Sequence, residues 1–365
     1  MSGQTLLLVG AGHAQLGVID DIRQNGAPCD RIVLIEPREA MHYSGMVPGW
    51  LAGEYRASEA MIPLQPLVEQ CDLEWHKAAA TGIDAASRVI RLDTGEELNF
   101  DICSIAIGGS GRAARILGTD DRLLDIRPID RFVEKWRDLR DGEAPPRRIA
   151  VVGGGAGGVE LAFGFANAPH VRRSKLFIVT GKGGLLPDHE AAVRRKTRRE
   201  LQAQGVTILE EDARIEAGEL RAAERSLEPL DLIVAAIGSA AAEWPKASGL
   251  PIDQRGFIEV DEHQRVIGLP HVFAAGDTAS RMDRDLPHSG VHAVYAGPVL
   301  ARNLRAALAG KPVRGTYLGR GMNFYLLNTC RGEAILSYGP FAFKGPWLRR
   351  LKDWLDRRWI DRFSR

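Results

Sequence analysis

Three things are scarce in this chain of 365 residues. Its four cysteines, Cys29, Cys71, Cys103 and Cys330, form no CxxC or CxxxxC pair, which argues against a zinc site, a disulfide framework and a dithiol active site. Cysteines scattered in this way suit a reducing compartment, and a cytoplasmic location is expected. No apolar run reaches the ~18 residues of a membrane span, and the apolar start TLLLV has no basic flank, so it reads as a buried strand rather than a leader. Excess charge is missing as well: 48 Lys and Arg against 47 Asp and Glu leave +1, which excludes nucleic-acid binding by bulk basicity.

Glycine, by contrast, is abundant: 40 residues, about 11% where ~7% is usual. Much of it sits in two similar places. Thr5 to Val9 run straight into GAGHAQLG, and RIAVV (Arg148 to Val152) runs straight into GGGAGGVELA. Each reads as strand, glycine turn and helix start, the context in which a GxGxxG match carries meaning. Only glycine lets the turn close and a pyrophosphate approach the free N–H groups of a helix N-terminus. Gly153, Gly155 and Gly158 make a full match; Gly10 and Gly12 make a partial one with Gln15 in the third slot.

RIVLI (Arg31 to Ile35) continues the first unit, and Glu36 closes it 24 residues past Gly12, where an acid accepts from a ribose diol. An ordinary strand-end carboxylate is the alternative. In the second unit LFIV is followed by Thr180, Gly181 and Lys182 with no acid. That tilts toward NADPH or toward no preference, with a plain surface lysine equally open. Three more buried-strand runs stop at small residues: Phe100–Ser110 (with Ile107 and Gly108), Leu230–Ser239 (with Gly238) and His271–Ala279 (with Gly276 and Asp277). His288 to Leu308 has helical spacing, in which Pro298 is expected to bend or restart the helix.

These residues resemble the two-dinucleotide FAD/NAD(P) reductases of the pyridine nucleotide-disulfide oxidoreductase superfamily, over nearly the whole chain. MHYSGMVPGWLAGEY (Met41 to Tyr55) and LPHSGVHAVYAGPVLARNL (Leu286 to Leu304) are similar to the flavoprotein domain found fused ahead of selenide, water dikinase, whose relatives include type II NADH:quinone dehydrogenases. The resemblance implies an α/β fold: an FAD domain split in sequence (residues 1–112 and 261–310), an inserted NAD(P) domain (113–260), and a C-terminal domain (311–365) with an amphipathic helix.

The same resemblance implies roles for particular residues. Gly10, Gly12, His13, Ala14, Gln15 and Glu36 would hold the FAD diphosphate and ribose. Ala80 sits where the family contacts adenine, and Ile107 and Gly108 line the cofactor. Gly276 and Asp277 form a GD motif toward the ribityl-phosphate. Ser44 to Pro48 would lie along the isoalloxazine. The helix opening at Ser289 and Val291 would aim its N-terminus at the flavin pyrimidine edge, where reduced flavin carries negative charge. NADH or NADPH would use Gly153, Gly155, Gly158, Thr180, Lys182 and Gly238. His288 stands where the subgroup has lysine and supplies positive charge only when protonated; a solvent-exposed loop histidine is the alternative. Glu160 matches a glutamate near nicotinamide and flavin that could relay a proton, or it is a first-turn glutamate favoured by the helix dipole.

Without paired cysteines, the implied activity is electron transfer from NAD(P)H through FAD to a quinone-like or other small acceptor. A flavoprotein partner of selenium or other metabolic machinery, and a sulfide:quinone reductase-like enzyme using Cys103 and Cys330, are the competing readings. Cys103 lies in an apolar strand and reads as an inert thiol. From Gly315 onward two or three strands are expected, followed by an amphipathic segment, Trp347–Phe363. Its Leu348, Leu351, Leu355 and Trp359 fall on one face, with Trp347, Trp354 and Phe363 beside it. Either this face docks on a membrane, peripheral on the inner side, or the helix packs on its own domain or at a homodimer seam. The basic run Arg194–Arg199 reads as a solvated face.

Overall fold

The computed structural model describes residues 3–171, 175–227, 229–319 and 324–363. Two parallel sheets organise it. In the first, Leu269–Ala274, Ile102–Ile105, Thr5–Val9, Arg31–Ile35 and Glu74–His76 run parallel, with three short strands beyond Leu269–Ala274. In the second, the order is Leu123–Asp125, Leu232–Ala235, Arg148–Val152, Lys175–Val179 and Val206–Leu209, all parallel. Parallel sheets are covered on both faces, so their strands are continuous apolar runs rather than alternating ones. TLLLV and RIAVV meet that requirement; Leu6, Leu7, Leu8, Ile149, Ala150 and Val151 are fully buried.

In both sheets the strand before the glycine turn sits where the order reverses. Val9 is level with Ile35 on one side and Ile105 on the other, and Val152 with Val179 and Ala235. Flush ends open a crevice at each switch point, where doubly wound sheets take their ligands.

The chain leaves the first sheet and returns to it at a two-stranded crossing, Ser110 against Ala240. A boundary at residue 260 is therefore too late: Ile258–Val260 pairs with Arg265–Val266 and Ala279–Arg281 inside the first sheet. Gly290–Leu308 is a single helix with Pro298 in its interior, not two segments. It crosses His13–Asn25 at close range. A Cβ on Gly297 would lie 2.8 Å from the Ala14 carbonyl oxygen, and one on Gly17 2.9 Å from the Gly297 Cα.

Three antiparallel strands, Phe324–Asn328, Ala334–Tyr338 and Phe341–Gly345, lead into the C-terminal helix Pro346–Asp361; residues 320–323 of the expected aromatic segment lie outside the described residues. The apolar residues of this helix divide between two faces instead of sharing one. Leu348, Trp359, Ile360 and Phe363 are buried together with Lys352 and Asp356, whereas Trp347, Trp354 and Leu355 are exposed. Ion pairs fasten the inner side: Arg349 to Glu54 (2.9 Å), Arg357 to Glu59 (2.9 Å), and Arg362 to Asp20 of the first helix.

Gly297→Ala tests the close helix crossing. Alanine gains ~1 kcal/mol of helix propensity over glycine, but its methyl meets backbone that cannot give way. Urea unfolding should show a net loss of about 1–3 kcal/mol.

Candidate functional site

A cleft opens at the switch point of the first sheet. Gly10 has φ +84°, and a Cβ there would lie 2.7 Å from the Ala106 carbonyl oxygen; for Gly12 the distance is 2.5 Å. No side chain fits between turn and strand; the turn's own N–H groups are tied to Ile35, Glu36 and Ala106, and the helix His13–Asn25 opens at the cleft without a side-chain cap. Gln15, in the third glycine slot, is fully buried, and Ser104 Oγ donates to its Oε1 at 3.0 Å. This slot packs the helix onto the sheet, and here a side-chain hydrogen bond does so. Glu36 is also buried; Ala11 N–H donates to its Oε2 (2.8 Å) and Arg38 Nε to its Oε1 (2.6 Å).

The cleft brings together Gly12, His13, Ala14, Ser44, Ile107, Gly108, Gly276 and Asp277. The opening turn of Gly290–Leu308 joins them: Gly290 lines the cleft, and its Cβ position lies 3.4 Å from Ser44 Oγ. Ser289 is the N-cap of that helix and Val291 stands in its first turn. Burial pulls the His13 imidazole down to about 4, so it is neutral near pH 7. Asp277 is 7% exposed; its Oδ2 is paired with Arg127 at 2.8 Å, and its Oδ1 has no partner. An ionised buried oxygen without a donor is costly unless a ligand hydroxyl reaches it. The turn without Cβ atoms, the strand-end acid and this orphaned oxygen fit the expected FAD. Ala80 lies apart, at the start of a strand in a separate antiparallel sheet. Pro48 is buried in Val47–Leu51, its carbonyl oxygen 2.8 Å from the Cβ position of Gly164.

The second switch point repeats the first. Gly153 has φ +131°, and a Cβ there would approach the Ala236 carbonyl oxygen to 2.2 Å; one on Gly158 would reach the Gly153 oxygen at 2.1 Å. Gly155 and Gly238 face open space. Thr180 Oγ1 donates to the Gly181 carbonyl (3.1 Å), and Lys182 is paired with Asp212 at 3.5 Å, both exposed. The residues there fit a dinucleotide, and an acid stands beside the strand end after all, contributed by the loop that follows Val206–Leu209.

Glu160 lies on Ala156–Asn167 and faces the C-terminal helix. Asn328 N–H donates to its Oε1 (2.8 Å), and Lys352 Nζ stands 3.9 Å away. Lys352 also donates to Asp356 (3.0 Å) and to the Gly45 carbonyl (3.2 Å), and Tyr43 O–H donates to Asp356 (3.3 Å). Burial pushes the Glu160 and Asp356 carboxyls up, with Lys352 offsetting part of the effect. Burial works against the charge on Lys352, but Asp356 and Glu160 outweigh it and hold the ammonium protonated. His288 is half-buried, edge-on to Phe257 at 4.0 Å between ring centroids. Burial lowers its pKa, away from the charged form its expected role requires.

Arg38, His42, Arg127 and Asp130 also line the cleft. Of these only His42 falls in a segment singled out in the sequence, Met41–Tyr55; Arg127 and Asp130 arrive from the inserted domain and no motif marks them. Lys352 and Asp356 belong to the amphipathic segment Trp347–Phe363, where only their i, i+4 spacing signals a pair.

Residues 4–297 match the family described as pyridine nucleotide-disulphide oxidoreductase. The chain is 27% identical over 297 residues to demethylphylloquinone reductase NdbB of Synechocystis sp., covering 77% of this chain and 73% of that protein. It is 23% identical over 353 residues to ferroptosis suppressor protein 1 of Xenopus laevis, covering 92% and 89%. Its fold superposes on the solved structure of NDH2 from Plasmodium falciparum in complex with NADH with a TM-score of 0.80, at 14% identity, covering 99% and 97%.

Asp277→Ala should weaken FAD binding about tenfold or more, the value of one hydrogen bond to a charged group. Flavin retained at 450 nm after dialysis (about; a flavin absorbance band) against wild type provides the measurement.

Proposed function

The chain belongs to the pyridine nucleotide-disulphide oxidoreductase family, and from that premise we propose that it passes electrons from NAD(P)H through FAD to a quinone at a membrane surface. The observation that carries this reading is the C-terminal helix. Its inner side brings Lys352 and Asp356 to Glu160 and Tyr43 beside the flavin cleft. Its outer side carries exposed Trp347, Trp354 and Leu355, next to Phe341 and Phe343, which stack at 6.3 Å in the strand before it. A lipid-soluble acceptor needs such a place: an apolar surface on one side and a proton source on the other.

Bound FAD supplies hydride acceptance from the nicotinamide and two-electron delivery to the acceptor. The protein handles the proton. NAD(P)H + H⁺ + quinone gives NAD(P)⁺ + quinol, so each turnover consumes one proton that the hydride does not bring. Glu160 and Asp356 hold one above the usual carboxylate range, and Lys352 keeps the pair fastened. Gly153, Gly155, Gly158, Thr180 and Lys182 would hold the nucleotide; Gly12, Glu36 and Asp277 would hold the flavin.

Two features support a route without sulfur. The Cys103 thiol is fully buried and pushed well up by that burial. Cys330 is buried under Pro48, whose carbonyl its Sγ approaches at 3.4 Å, and is pushed up as well. Membrane contact rests on the aromatic outer face plus Arg350 and Arg358 of the same helix, the pattern of an interfacial helix. No helix among the described residues is long and apolar enough to cross a membrane.

Anaerobic NADH or NADPH should bleach the flavin, and quinone should restore its colour; flavin that stays oxidised with both nucleotides defeats the proposal. Glu160→Gln keeps an acceptor for Asn328 N–H. Because ionisation of Glu160 costs stability as pH rises through the ordinary carboxylate range, this variant should melt no lower than wild type at neutral pH. Its quinone turnover should fall about a hundredfold while bleaching by NAD(P)H persists. The triple variant Phe343→Ser/Trp347→Ser/Trp354→Ser should sediment with anionic vesicles about tenfold less, with NADH-to-dye activity unchanged.

A further inference from the structure

His42 ends the short strand Ala40–His42 and reaches the flavin cleft from the side opposite the first glycine turn's helix. Its Nδ1 meets Asp130, which stands in the first turn of Ile129–Asp141 in the inserted domain. Its Nε2 is shielded from solvent and has no hydrogen-bond partner. Arg38 joins the same carboxylate from the other side at 3.1 Å and ties it to Glu36. An imidazole fixed at one nitrogen by a second domain, with the other nitrogen buried and unused beside a cleft, is a binding group awaiting a ligand.

We propose that His42 is a diphosphate-binding residue for FAD, held in place by Asp130 across the domain junction, so that both domains grip one cofactor. The inference rests on the FAD assignment made above, not on the acceptor. Burial works against ionisation of Asp130, but hydrogen bonding from His42 and the charge of Arg38 outweigh it and hold the carboxyl below its usual range. A carboxylate only accepts, so Nδ1 carries a proton. A diphosphate also only accepts, so a contact with Nε2 requires a proton there as well. Arg38 and Arg127, which line the same cleft, add positive charge toward the same anion.

The test titrates apoprotein with FAD by flavin fluorescence, with apoprotein melting temperatures in parallel. His42→Ala should bind FAD at least about tenfold more weakly than wild type. His42→Gln, which keeps an N–H donor, should bind between the two. Asp130→Asn, which removes the carboxylate that fixes the ring, should also weaken binding. If His42→Ala binds FAD like wild type and only melts lower, His42 merely packs the domain junction and the inference is overturned. FAD binding that His42→Ala weakens, without bleaching by NAD(P)H, would sink the proposed function and leave this inference standing. Absence of any FAD binding would end both.

Discussion

The architecture depends on a contact that permits no side chain. At each switch point a glycine turn passes so close to a neighbouring strand end that a Cβ would sit 2.2–2.7 Å from the Ala106 or Ala236 carbonyl oxygen. This closeness leaves the helix N-terminus bare, which is how backbone N–H groups come to face an anion. It also sets the level of the two sheets, since Val9 and Val152 end flush with their neighbours on both sides. The long helix Gly290–Leu308 repeats the device at Gly17 and Gly297, where two backbones touch so that its opening turn can reach the cleft.

The C-terminal helix solves a harder electrostatic problem. Lys352 and Asp356 are buried, and a buried charge without its partner costs about 3–5 kcal/mol. The cost is avoided because Glu160, the Gly45 carbonyl and Tyr43 converge on the pair from two separate parts of the chain. The helix is therefore no detachable anchor: ion pairs to Glu54, Glu59 and Glu160 fasten its inner side, while its aromatic outer residues are exposed. In the proposed function this one element would face both the proton source and the acceptor.

Strands and glycine turns were open to a reader of the sequence because the signal is local. An apolar run that halts at Gly10 or Gly153 reports its own geometry. The amphipathic helix was visible too, but not its orientation: Leu355 and Trp354 share an apolar spacing with Leu348 yet are exposed, because Glu160 of the inserted domain and the Gly45 carbonyl draw Lys352 inward. Pro298 reads as a break, yet the helix continues through it, held against the first helix by the crossing at Gly297. The return to the first sheet comes before residue 260 because strand pairing, not composition, marks it.

What the chain alone determined is the pair of nucleotide cradles, the lack of a CxxC or CxxxxC pair, and an α/β architecture, all of which follow from residue types at fixed short spacings. What only the folded molecule decided is which charges meet. Arg127 with Asp277, His42 with Asp130, Lys182 with Asp212 and Lys352 with Glu160 are brought together from 30 to 192 residues apart. Coulombic and hydrogen-bonding contacts act over a few ångströms of space, and no periodicity along the chain encodes which distant residues will share them.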